Sequence, residues 1–249
     1  MSFARVLSLV LAAAAATTTH AQLRTYPASP RAGQEFVVQI AATGGCGAAS
    51  PVRGEVEGTV ISLVYEEAGA CFPTRPPEPP VNVVVRVPTA GSYLVRERGQ
   101  YQGRVSVSRE HGQITVQAAS NATRPAHSLA GVWNMPSEPG WGVNIAEGDS
   151  GQLFVTWFTY GRFISGTRAL ASWYVASSGS WTATNEFSAP FYWTQGPVLG
   201  GAFDPAQVRL LPIGQMTITV HSPDSITFSV EGHDGQPLQV ARVLDRFRF

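Results

Sequence analysis

Gln152-Leu153-Phe154-Val155-Thr156-Trp157-Phe158-Thr159-Tyr160 decides how the C-terminal half of this chain folds. A strand sends successive side chains to opposite faces. Leu153, Val155, Trp157 and Thr159 therefore share one face, and Phe154, Thr156, Phe158 and Tyr160 share the other. Rings on both faces mean that neither is a plain solvated surface. One fills a core, and the other is covered, by the preceding half of the chain for instance, or lines a ligand groove. The turn formers Gly148-Asp149-Ser150-Gly151 stand immediately before the stretch, as a hairpin requires.

The same alternation extends in both directions. Downstream, Ala169 to Ala176, Glu186 to Thr194, Gln215 to Val220, Ser225 to Val230 and Pro237 to Phe247 read as strands, and upstream Gly140 to Ala146 does; Gly131 to Met135 and Val198 to Phe203 are further candidates. So many short antiparallel strands in residues 128–249 predict a small barrel or a curved sandwich. Before it, Glu35 to Ile40, Thr59 to Tyr65, Val81 to Val87, Ser92 to Arg96, Arg104 to Val107 and Gln113 to Val116 alternate likewise. They predict a β-sandwich over 22–119. Residues 120–127 lack periodicity, contain Pro125 and read as a linker. The fold expected is all-β throughout.

The chain has 249 residues and a formal net charge of zero, with 44% hydrophobic and 14% charged residues. That hydrophobic fraction excludes general disorder, and the charge balance excludes nucleic-acid binding on a basic stripe. All 17 basic residues are arginine, so no lysine-based mechanism operates. Residues 1–21 read as a signal peptide: Arg5 precedes an apolar stretch from Val6 to Ala16, and Thr19-His20-Ala21 offers cleavage between Ala21 and Gln22. Val6 to Ala16 is too short for a membrane span, and nothing later is long and apolar enough. The protein is thus expected in the periplasm or outside the cell. Cys46 and Cys71 are the two cysteines. In an oxidising compartment they predict one disulfide, contributing about 3 kcal/mol.

All six tryptophans follow residue 130. Trp133-Asn134-Met135-Pro136-Ser137-Glu138-Pro139-Gly140-Trp141-Gly142-Val143-Asn144, then Phe154-Val155-Thr156-Trp157-Phe158-Thr159-Tyr160, resembles a tryptophan-rich β domain (W-x-x-P-x-E-x-G-W-G-x-N, then F-x-x-W-F-x-Y) of exported, mostly uncharacterised proteobacterial proteins. The resemblance covers residues 128–249 and implies no particular activity. It departs at Gly161-Arg162-Phe163-Ile164-Ser165-Gly166, where that family has an Asp/Gly-rich turn with a proline. Pro88-Thr89-Ala90-Gly91-Ser92-Tyr93 resembles a turn of bacterial immunoglobulin-like domains. Gly131-Val132-Trp133 resembles the opening of lipocalin- and avidin-like barrels. That likeness implies a late arginine, Arg242 or Arg246, stacked on the tryptophan.

Trp141, Val143 and Ile145 share a face, leaving Gly142, Asn144 and Ala146 on the other. Aromatic walls beside the Asn144 amide suit a sugar ring or a peptide backbone. The function expected is therefore non-catalytic binding of an envelope or extracellular glycan or protein, with Glu138, Trp141, Asn144, Trp157, Tyr160 and Trp173 as ligand contacts. No cofactor, metal or nucleic-acid partner is expected, and the oligomeric state is left open. His111, His127, His221 and His233 stand singly, without metal-ligand spacing. Gly148-Asp149-Ser150-Gly151 resembles a trypsin-like nucleophile segment, yet it is a hairpin tip without oxyanion donors. Two alternatives stay open. One is a hydrolase using carboxylates such as Glu138, with Glu147 and Glu186 able to converge on it. The other is a structural protein or outer-membrane barrel, suggested by the closing Phe247 and Phe249 although Asp245 shares their face.

Overall fold

The computed structural model describes residues 23–41, 48–67, 80–101, 104–161, 170–197, 200–233 and 238–249. The expected signal peptide and its Ala21–Gln22 cleavage point, the Cys46–Cys71 disulfide and the turn at 162–166 lie outside the described residues. The chain is all-β, a sandwich followed by a closed barrel.

Among the described residues seven strands build the first unit: β1 (Arg24–Tyr26), β2 (Glu35–Ile40), β3 (Ala48–Glu57), β4 (Val60–Glu67), β5 (Val81–Arg86), β6 (Gly91–Tyr101) and β7 (Arg104–Val116). They form two sheets, ordered β1-β2-β5 and β3-β4-β6-β7. The neighbours are antiparallel except β4 and β6, which run parallel. Alternate residues meet between the sheets: Phe36, Val38 and Ile40 from one side, Ile61, Leu63, Tyr93 and Val95 from the other. The buried Tyr93 hydroxyl donates to the Thr89 carbonyl at 2.8 Å, which ties down the turn before β6. Sequence alternation missed β1 and β3. β3 is an edge strand that contains Pro51 and slips register between Ala49 and Arg53, as a proline in a sheet tends to require. The two strands expected over 104–116 are one, because bulges opposite β6 carry the ladder across the polar residues between them.

β8 (Gly131–Asn134), β9 (Gly142–Glu147), β10 (Leu153–Gly161), β11 (Leu170–Ala176), β12 (Ser180–Ala183), β13 (Glu186–Gln195), β14 (Arg209–Ser222), β15 (Ser225–Gly232) and β16 (Gln239–Arg246) follow. Eight of them, all but β12, form an antiparallel meander closed by pairing of β16 with β8. Of the two architectures expected here, the barrel is the one formed. No strand occurs at 200–203, where one was a candidate; Gly200, Gly201 and Pro205 favour turns, and a short 3-10 turn follows at Pro205–Gln207.

The barrel interior is filled. Val143, Ile145, Leu153, Val155, Trp157, Phe187, Phe191, Met216, Ile218, Ile226, Phe228 and Leu244 all point inward and are buried. Between them, Thr217, Thr219, Thr227 and Ser229 face out and carry the polar half of the alternation. β12 folds across one end, where Trp181 Nε1 donates to the Gly151 carbonyl at 3.1 Å.

Closure of the barrel is local. β16 and β8 share two residue pairs, Asp245↔Asn134 and Arg246↔Trp133. The Arg246 guanidinium lies 4.4 Å from the centre of the fully buried Trp133 ring and donates to the carbonyls of Ser128 and Ala130, each at 2.7 Å. Its Nε reaches the Pro223 carbonyl at 2.9 Å. Gly131 leaves the space this needs, since a Cβ there would stand 3.3 Å from Arg246 Nη1. Of the two arginines expected to stack on Trp133, Arg246 does.

The sandwich docks on the outer face of β13 and β14. β2 is consequently buried on both faces, Val37 as fully as Phe36. The Glu35 carboxylate accepts from Tyr192 Oη at 3.2 Å and from Ser178 Oγ, and Gln34 Nε2 donates to Ser180 Oγ. Burial, and then the Glu35 charge, push the Tyr192 phenol well above its ordinary range.

Candidate functional site

Two glycines of the tryptophan-rich motif seat aromatic rings on the outside of the barrel. Phe158 pairs with Gly142, and its ring lies where a Cβ on Gly142 would come within 3.1 Å; the Trp133 carbonyl would be at 2.8 Å. Gly140, with φ of +97°, carries the Tyr160 hydroxyl 3.0 Å from the place a Cβ would take. Both rings lie over chain with no side chain to hold them off.

Register extends this into a row around the barrel. Phe158 pairs with Trp173 on β11, Trp173 Nε1 donates to Thr194 Oγ1 on β13 at 3.0 Å, and Thr194 pairs with Leu210 on β14. Trp173 is 61% exposed, Tyr160 58% and Phe158 40%, and Phe154 on the same face of β10 is also exposed. Asn144 is exposed between them, paired with Val132 on one side and Thr156 on the other. The outer face of β10 is therefore an open apolar wall; the sandwich packs elsewhere, on β13 and β14.

Asn144, Tyr160 and Trp173, all expected as ligand contacts, lie together on this wall. Trp141 is half-buried and packs against the barrel core. Glu138 sits in the connection between β8 and β9, where Arg242 Nε donates to both its oxygens at 3.2 Å. Trp157 is a correction. It shares the inward face with Leu153 and Val155, is 6% exposed, and stands among Tyr174, Phe228 and Phe191 with ring centres 5.3, 5.5 and 6.0 Å away. A surface ligand does not reach it. Phe154 and Phe158 belong to the wall and were absent from the expected contacts, although the alternation of β10 places them beside Tyr160.

The carboxylates do not converge. Glu138 precedes β9 and Glu147 ends it, roughly 20 Å apart at strand rise. A glycosidase pair stands about 5–10 Å apart. Glu147 is engaged by the segment leading into the barrel: Ser128 Oγ donates at 2.7 Å, the Leu129 N–H at 3.1 Å, and Arg124 pairs with its other oxygen. Burial works to raise its pKa, but these donors and the Arg124 charge outweigh burial and hold it below the ordinary value. Glu186 accepts from Thr182 Oγ1 at 2.5 Å. Among the described residues no cluster of three His, Cys, Asp or Glu is arranged to hold a metal ion.

Comparison with known proteins finds no matching family model, no matching curated protein and no matching solved structure.

Proposed function

We propose that this chain is an exported, non-catalytic binding protein that holds an envelope or extracellular partner through the aromatic outer wall of its barrel. The observation that carries this is the row Phe158–Trp173–Thr194–Leu210, with Tyr160 and Phe154 beside it, exposed on rigid strands. Rings fixed on glycines and on a ladder lose little freedom on binding, and exposed Trp and Tyr are the side chains that anchor protein interfaces. Of the glycan and protein partners that the sequence allows, a protein fits this wall better. Asn144 and Thr156 are few polar groups for a polyol, and the surface is a wall and not a cleft.

The alternatives draw less support. Glu138 and Glu147 stand toward opposite ends of β9, which leaves a hydrolase without this pair. A lipid-facing barrel has an apolar outside, whereas β14 and β15 turn Thr217, Thr219, Thr227 and Ser229 outward.

A photo-crosslinking residue at Thr156, with Thr227 on the opposite wall as control, tests the proposal in the producing cells. A protein partner should be trapped from position 156 alone. Once purified, it should bind the Trp173→Ala variant at least tenfold more weakly. Equal trapping from both positions, or an affinity that ignores Trp173→Ala, refutes the proposal. A glycan panel that shifts tryptophan emission, with no protein trapped, would replace the partner class with glycan.

A further inference from the structure

A second concavity, of different chemistry, lies between the two units. Residues 23–29 with part of β7 form one wall, and the outward side chains of β13, β14 and β15 form the other, around a cleft of ≈ 990 Å³. The edge strands β1 and β7 approach at the seam of the sandwich, where Arg31 bridges Gln117. Arg24 and Arg31 face in from the sandwich, Glu186 and Glu231 from the barrel. The charges balance, so the cleft selects neither a polyanion nor a polycation. Most of what remains is amide and hydroxyl: Gln34, Gln113 and Thr115 on one wall, Ser188, Gln215 and Thr217 on the other.

Each wall also holds a side chain with a buried polar atom that finds no hydrogen-bond partner among the described residues. His111 is the extra residue of a β7 bulge, between the pairs Val95↔Gly112 and Arg96↔Glu110. The bulge turns its ring inward, leaving the side chain 1% exposed with Nε2 3.2 Å from Glu97 Oε1. Neither ring nitrogen makes a hydrogen bond among the described residues. Across the cleft Gln215 Nε2 donates to Ser188 Oγ at 2.8 Å, while its buried Oε1 receives nothing from the described residues. Buried polar atoms in this state are uncommon, and lining residues that carry them on both walls of one cleft favour an occupant with hydrogen-bonding groups on both sides.

We propose that this cleft is a binding site for a neutral, hydroxyl-rich ligand, a short saccharide chain, separate from the aromatic wall and independent of it. An extended peptide also offers hydrogen-bonding groups on both sides. However, it would need apolar pockets for alternate side chains, and the apolar residues of the lining, Leu23, Pro27, Ala28 and Ile114, all stand on the sandwich wall. Hydroxyls distributed around a sugar ring match amides and hydroxyls on facing walls, and Tyr26, its ring centre 4.2 Å from that of His233, provides an aromatic edge to the site.

The test is calorimetric titration of the full chain with maltohexaose, cellohexaose and the hexamer of N-acetylglucosamine, beside sulfated hexaose and hexalysine as charged controls. At least one neutral hexamer should bind, its affinity falling tenfold or more in Gln215→Met and remaining within twofold in Trp173→Ala. Thr217→Val, a surface change on the same wall, should also weaken it and serves if Gln215→Met does not fold. Binding of none of the neutral hexamers, or binding indifferent to both cleft variants, overturns the proposal. Preference for a charged control overturns it too. Loss of sugar binding in Trp173→Ala alone would move the sugar to the aromatic wall and overturn the cleft site while leaving that wall a binding surface.

Discussion

Arg246→Ala should open the barrel at its narrowest seam. The substitution removes three charge-assisted hydrogen bonds to the carbonyls of Ser128, Ala130 and Pro223 and the cation over Trp133. Each such bond is worth about 1.5–3 kcal/mol net, and a partly desolvated cation–π contact about 1–2 kcal/mol. Their sum is an upper limit, because the side chain is 19% exposed and water can reach part of the vacated site. A loss of about 3–5 kcal/mol is expected, the range for breaking a buried charged network. Beyond this side chain the seam has two residue pairs between β16 and β8 and the bond from the Phe247 N–H to the Val132 carbonyl at 2.8 Å. Urea unfolding followed by tryptophan emission is the natural assay, because all six tryptophans lie in this half of the chain and report on it alone. Arg246→Lys keeps the charge without the planar fork and should fall in between. Arg242→Ala, which breaks a half-exposed pair with Glu138, should cost at most about 1 kcal/mol and sets the baseline. If Arg246→Ala unfolds within about 1 kcal/mol of the parent, or no differently from Arg242→Ala, the seam does not depend on this side chain.

Gly142→Ala would place a methyl 2.8 Å from the Trp133 carbonyl and against the Phe158 ring. A loss of about 1–3 kcal/mol in thermal or urea unfolding, and displacement of Phe158 seen by NMR, is expected; a neutral result would mean the ring is not seated on the glycine. Glu147 has a folded pKa below its unfolded value, so its contribution is full above the unfolded carboxylate range and drains away as pH falls through the folded value. Glu147→Gln should therefore be less stable than the parent at pH 7, by about 1–3 kcal/mol, and the two should converge in acid. A gap that persists unchanged in acid would trace the effect to packing and not to charge.

The meander was legible because β9, β10, β14 and β15 alternate along most of their length, and turn formers such as Pro223-Asp224 stand where the chain reverses. What stayed hidden depends on contacts distant in sequence. β3 carries Pro51 and Gly54 and little apolar side chain, so only its place at the sheet edge makes it a strand. β12 is four residues long and exists because Trp181 finds the Gly151 carbonyl. At the wall, alternation alone separates Phe154, Phe158 and Tyr160 from Trp157, but it does not say which set faces the core. The register with Gly142, which turns the small-residue face of β9 outward, decides that. The cleft was beyond sequence reasoning altogether, since it joins side chains from two units, and His111 joins its wall at a bulge that pairing with β6 creates.

The barrel begins and ends at one seam: β8, its first strand, lies beside β16, its last. Such a chain is nearly a circle, so a short linker from residue 249 to residue 128 would let new termini be cut at the Gly148–Gly151 turn without reordering a strand. The same geometry places the sandwich at the junction of that circle. Evolution could exchange whatever is attached there and keep the aromatic face unchanged.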